Sequence, residues 1–255
     1  LTEHTAVFDY EHQAVTALVD EAGCYRATKT ACAVERLHDV VRDTIDYNVF
    51  DIPLHNGLCA SEVAKLQAGF CLHKSILFVA GCRKLGVPAV LCSDVVTNHV
   101  ADPAMLELVG GEEFLHWYAQ IHLNGRWIKA APIFNTLLCA VYGLDVLRFD
   151  PSADSIRQPY RAGTRMQYQG AERRYTNPAM TELVDAIAAK HPRMVTASGR
   201  TPTSRQLTDS PSSSTGKAAS TRRNRLLPIQ SADASQTSGA PPFSSPWSRS
   251  SARAP

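Results

Sequence analysis

Apolar residues recur at three- and four-residue steps in the first third of the chain and at alternate positions in its middle. Ala14, Val15 and Leu18 predict a helix over about residues 11–22, and Val34, Leu37, Val41 and Ile45 predict a second. A denser run, Ile76-Leu77-Phe78-Val79-Ala80, predicts a strongly apolar helix that opens at Cys71 after the turn-forming Gly69. Gly86 and Pro88 stop it near Leu85. Val87–Val96 is rich in β-formers, Pro103–Val109 predicts a short helix, and Thr181–Lys190 predicts a closing one. Helices come first and an antiparallel sheet later, so the fold class expected is α+β.

The sheet is clearest where Phe114–Leu123 is followed by Asn124-Gly125 and then by Arg126-Trp127-Ile128-Lys129-Ala130-Ala131-Pro132. Asn-Gly is the strongest two-residue hairpin signal, because a type I′ turn needs positive φ at both central positions. That turn fixes the register: Leu123 faces Arg126, Gln120 faces Lys129, Tyr118 faces Ala131 and His116 faces Ile133. Alternation then puts Leu115, Trp117, Ala119, Ile121 and Leu123 on an apolar face, and His116, Tyr118, Gln120 and His122 on the other.

Two of these positions carry candidate chemistry. A thiol in the first turn of a helix meets amide N–H groups with no internal acceptor and the positive end of the macrodipole, so Cys71 is expected to ionise easily. His116, on a strand packed across that helix end, is placed to take the proton and form a thiolate–imidazolium pair. The plainer readings are a buried structural cysteine and a half-exposed strand histidine.

These residues are similar to the transglutaminase-like superfamily of cysteine enzymes, in its bacterial branch of short domain proteins. The likeness runs over most of residues 8–190. It takes in Val41–Asn48, Gly69-Phe70-Cys71-Leu72-His73-Lys74-Ser75, Arg83–Ala89, Asp94–His99, and the stretch from His116-Trp117-Tyr118 to Gly125–Asn135. The resemblance implies a papain-like core in which a cysteine at a helix N-terminus, a histidine on the adjacent sheet and an aspartate on the next strand form a triad. Cys71 and His116 take the first two places. The third falls on Ala131, which accepts no hydrogen bond. Asn135 or Gln120 is then the candidate to orient the imidazole through an amide oxygen. Gln67 is the candidate second oxyanion donor beside the Cys71 N–H, and His99 and Asp94 are candidates to line the site.

The function implied is attack of Cys71 on an amide or peptide carbonyl, giving a thioester that water hydrolyses or an amine captures. The alternative is a binding module that keeps the fold with an idle site, for which Ala131 speaks. The expected partner is a peptide or amide substrate, with no cofactor and no metal. Cys71, His73, His99, His116 and His122 match no compact zinc spacing, and His73 and His122 read as surface histidines.

Composition divides the chain. Residues 196–255 hold eight Lys or Arg against Asp209 and Asp233 and are dominated by Ser, Thr and Pro, so they are expected to form a disordered tail beyond a domain spanning 1–195. The tail lacks an RNA-binding motif, and nucleic-acid binding is not expected. Seven cysteines, an odd number with no Cys-x-x-Cys pair, suit a reducing compartment, and no membrane segment stands out, so a cytoplasmic location is expected. The chain begins at Leu1, and a lost leader stays open.

Overall fold

The computed structural model describes residues 1–50, 52–54, 57–97, 103–159 and 166–198. The expected tail of residues 196–255 lies, from residue 199 onward, outside the described residues. Helices α1 (Gln13–Glu21) and α2 (Thr30–Thr44) lead, joined through a 3₁₀ turn at Cys24–Arg26. The two-residue strands β1 (Asp46–Tyr47) and β2 (Ala68–Gly69) pair in parallel around α3 (Ala60–Leu66). The apolar helix α4 (Cys71–Lys84) follows, then β3 (Ala89–Thr97), α5 (Pro103–Val109), β4 (Glu113–Leu123), β5 (Arg126–Ala130) and α6 (Thr136–Val141). Short strands β6 (Gln167–Tyr168) and β7 (Arg173–Tyr175) and helices α7 (Met180–Lys190) and α8 (Pro192–Ser198) complete the described part.

The sheet is antiparallel, in the order β5-β4-β3-β6, with β7 also on β3. Helix α4 packs against β4 and β3, and every residue from Cys71 to Arg83 is buried, as its unbroken apolar run requires. Its approach to α2 is close: a Cβ on Gly81 would lie 2.7 Å from Leu37 Cδ2. The same helix sends Lys74 into the core, where its ammonium donates to the carbonyls of Arg42 (2.8 Å) and Ile45 (2.6 Å) at the C-terminal end of α2. Those carbonyls have no partner within their own helix, and a cation there also meets the negative end of its dipole. Burial nevertheless lowers the Lys74 pKa to about 7, against the opposing pull of Asp43 and Asp46.

The hairpin turns at Asn124-Gly125, both with positive φ, and its register is the expected one from Leu123–Arg126 to Ala119–Ala130. It ends there. The expected pairs Tyr118–Ala131 and His116–Ile133 do not form, because the next hydrogen-bonded rung, Trp117 with residue 132, falls on a proline. Ser155 donates to Lys129 O (2.7 Å) and accepts from Ala131 N (3.0 Å), and Pro132 has no N–H with which to continue a ladder. The expectation of one polar face on β4 also changes. His116, Tyr118 and Gln120 are as buried as the apolar face, covered by the segment that carries Tyr168 and Glu172. No helix among the described residues is long and apolar enough to cross a membrane.

Candidate active site

Local chemistry fixes where α4 begins. Gln67 caps α3 in the left-handed region (φ 52°), and its carbonyl accepts from Asp46 N, so the chain turns straight into β2. Gly69 then passes so close to the helix that a Cβ would stand 2.4 Å from His73 Cβ. Phe70 is extended (φ −102°, ψ −169°) as the residue before the helix, its carbonyl accepts from Lys74 N, and Cys71 is the first helical residue. The thiol is therefore where the sequence places it, but its environment is not the one expected. Burial pushes the Cys71 pKa up to about 12, outweighing the backbone N–H groups of Trp117, Leu72 and Cys71 itself, which favour the thiolate. In this state the sulfur is a neutral thiol.

The contribution of Trp117 follows from the early end of β5. In β4 the odd-numbered amides point toward β5, as the pairs of Ala119, Ile121 and Leu123 show, while the His122 N–H points the other way, to Pro88 O. Past Ala119 that edge has no strand beside it among the described residues. The Trp117 N–H meets the Cys71 sulfur there, and the Leu115 N–H donates to His191 Nε2 at 2.8 Å. The other nitrogen of His191 lies 2.8 Å from Val109 O, to which it donates, so the tautomer is fixed and the ring ties the end of α7 to α5 and β4.

His116 lies on β4 next to this edge, directly opposite Asp94 of β3. Its ring meets Tyr168 edge-on, with centroids 5.8 Å apart, and its Nε2 is buried with no hydrogen-bond partner among the described residues. Burial lowers its pKa to about 4. Cys71, His116 and His191 line one cavity with a volume of about 540 Å³, its open mouth included. Thiol and imidazole thus line one cavity, both neutral, in place of the expected thiolate and imidazolium, because burial disfavours both charges.

Residues 20–132 match the family model described as the transglutaminase-like superfamily. That stretch is a transglutaminase-like core. No curated protein matches the chain. Among solved structures it is similar to one described as "a Putative Cysteine Protease from Cytophaga hutchinsonii", at 16% identity and a TM-score of 0.41, over 68% of this chain and 51% of that one. A second, described as a TGase, is 18% identical with a TM-score of 0.34, over 45% of this chain and 29% of that one. The chain thus spans about half of the first structure and under a third of the second.

The other candidates divide. Ala131 is buried and offers no side-chain acceptor. Asn135 is not free to orient an imidazole, since its Oδ1 caps α6 by accepting from Leu138 N at 2.8 Å. Gln120 donates through Nε2 to Glu172 at 2.8 Å and does not line the cavity. Gln67 is an exposed cap residue and does not line the cavity. His99 lies outside the described residues. Asp94 is buried on the same sheet face as His116, and its Oδ1 accepts from Ala171 N at 2.8 Å. His73, expected at the surface, is buried against the Phe70 ring because α4 is covered on every side.

His191 is a site residue that the sequence does not single out. It looks like the end of an ordinary helix, with only Pro192 behind it to mark a fixed corner. The free edge of β4 does have a signal: Pro132, two residues after the last paired position.

Proposed function

We propose that the transglutaminase-like core is a thiol enzyme acting on an amide or peptide acyl group. Cys71 Sγ attacks the carbonyl and its proton passes to His116 Nε2. The C–N bond then breaks as His116 protonates the leaving amine, leaving a thioester on Cys71 for water or a second amine. The observation that carries this reading is a thiol in the first turn of a buried helix sharing a cavity with an imidazole nitrogen that has no partner among the described residues. Because both groups start neutral, the proton moves during attack rather than before it, as in serine enzymes. The N–H groups of Cys71 and Leu72 favour negative charge at this end of the helix. Asp94, opposite His116, is the carboxylate that stands nearest in register to the role Ala131 leaves vacant.

The test is to incubate the full chain with peptide amide donors at about pH 7.5, trap the acyl group with hydroxylamine, and locate it by peptide mass spectrometry. Acylation of Cys71, slowed about a hundredfold or more in His116→Ala, supports the reading. Ala131 favours a second one, an idle site kept as a binding module. In that case no donor acylates Cys71, and Cys71→Ala leaves the protein's binding partners unchanged.

A further inference from the structure

Among the described residues that line the cavity there is no Asp, Glu, Lys, Arg, Asn or Gln. Eleven of the sixteen are Val, Leu, Ile, Met or Phe. The polar atoms are few, and His191 has both of its nitrogens engaged, by Val109 O and the Leu115 N–H. Besides the thiol of Cys71 and the unpartnered Nε2 of His116, the polar side-chain atoms of the lining are the Tyr47 hydroxyl and the buried Nε1 of Trp117, set in an apolar wall. We infer that the acyl group transferred to Cys71 is neutral and apolar, an alkanoyl or arylalkanoyl group rather than one that carries a charge.

The inference rests on the thioester chemistry proposed above and names its substrate class. A carboxylate carried into this cavity would be stripped of water beside a lining with no Lys or Arg to pair with it, whereas each methylene buried there is favourable. Met105, Met166 and Met194 come from three different segments, and their unbranched side chains let the wall adapt to acyl chains of different length. In the step itself the S–C bond forms as the bond from carbonyl carbon to leaving group breaks. The thiol proton passes through His116 to the leaving group, and no oxidant or metal is needed for the balance.

The experiment uses the full chain with the 4-nitrophenyl esters of acetate, butyrate and hexanoate and the mono-4-nitrophenyl ester of glutarate. Acylation of the Cys71 peptide is followed by mass spectrometry with Cys71→Ala as the blank. The rate at Cys71 is expected to rise about three- to fourfold per methylene from acetyl to hexanoyl. Glutaryl is expected to fall at least about tenfold below butyryl. Met194→Glu should shrink the hexanoyl-to-acetyl ratio by about tenfold. Equal rates along the series, or a preference for glutaryl, overturn the inference while leaving the thioester reading intact. Failure of every ester to acylate Cys71 above the blank overturns the thioester reading and takes the inference with it.

Discussion

Buried neutral histidines make this fold sensitive to mild acid. His73 and His116 each have a pKa of about 4, set by burial, against an ordinary value of 6.5. Between those values the unfolded chain binds a proton that the folded one refuses. Their contribution is therefore fully present above about pH 6.5 and is lost as pH falls toward about 4. At about pH 5 each costs roughly 2 kcal/mol relative to pH 7, and the two together about 4 kcal/mol, out of a total stability of about 5–15 kcal/mol. Burial lowers His38 and His191 in the same direction. The perturbation that isolates one histidine is His73→Phe, which keeps a ring beside Phe70 and removes an imidazole that plays no part in the cavity. Urea unfolding followed through the fluorescence of buried Trp117 at about pH 7 and about pH 5 measures the loss. The variant should lose about 2 kcal/mol less than the parent over that interval, whatever its stability at neutral pH. An equal loss in parent and variant would refute the reasoning, because carboxylate contributions are common to both and cancel.

Three further outcomes follow from particular contacts. Asp94→Asn keeps an oxygen for Ala171 N but removes the charge opposite His116. Acylation of Cys71 should fall about tenfold or more with a shifted pH profile, and an unchanged profile would reduce Asp94 to a part of the fold. Lys74→Met keeps the buried stem but strands the carbonyls of Arg42 and Ile45, so thermal and urea unfolding should show a loss of about 2–5 kcal/mol. Gly69→Ala forces a methyl against the His73 Cβ and should cost about 1–3 kcal/mol in the same assay. It should also displace the helix start, slowing Cys71 acylation more than the stability loss explains; a parental acylation rate would show that the first turn is not set by that contact.

Most of the framework is legible in the chain because its signals are local. The Asn-Gly turn alone accounts for five hairpin pairs, and Gly69, Gly86 and the apolar run between them account for a helix that begins at Cys71. Short strands such as β1 and β6, and helices α3 and α6, carry two to seven residues each and leave too little periodicity to read. The site is harder for a different reason. Position along the chain says where a thiol and an imidazole stand, but not how much protein covers them. Coverage by residues far apart in sequence, Met105, Phe134 and Met194 among them, turns an expected ion pair into a neutral one. The corner at His191 depends on Val109 and Leu115, seventy-six or more residues earlier, and no local pattern announces it.

The early departure of β5 has a meaning for assembly as well as for chemistry. A row of unpaired strand amides is the usual template on which a second chain adds itself, and proteins guard such rows with charges, bulges or covering segments. Here the guard is the lining of the cavity: a sulfur stands over the amide of Trp117 and an imidazole over that of Leu115. Removing His191 would thus do more than loosen one wall of a cavity. It would uncover the Leu115 N–H on the free edge of β4, so that the first sign of damage to this site would be clumping of the protein rather than a slower reaction.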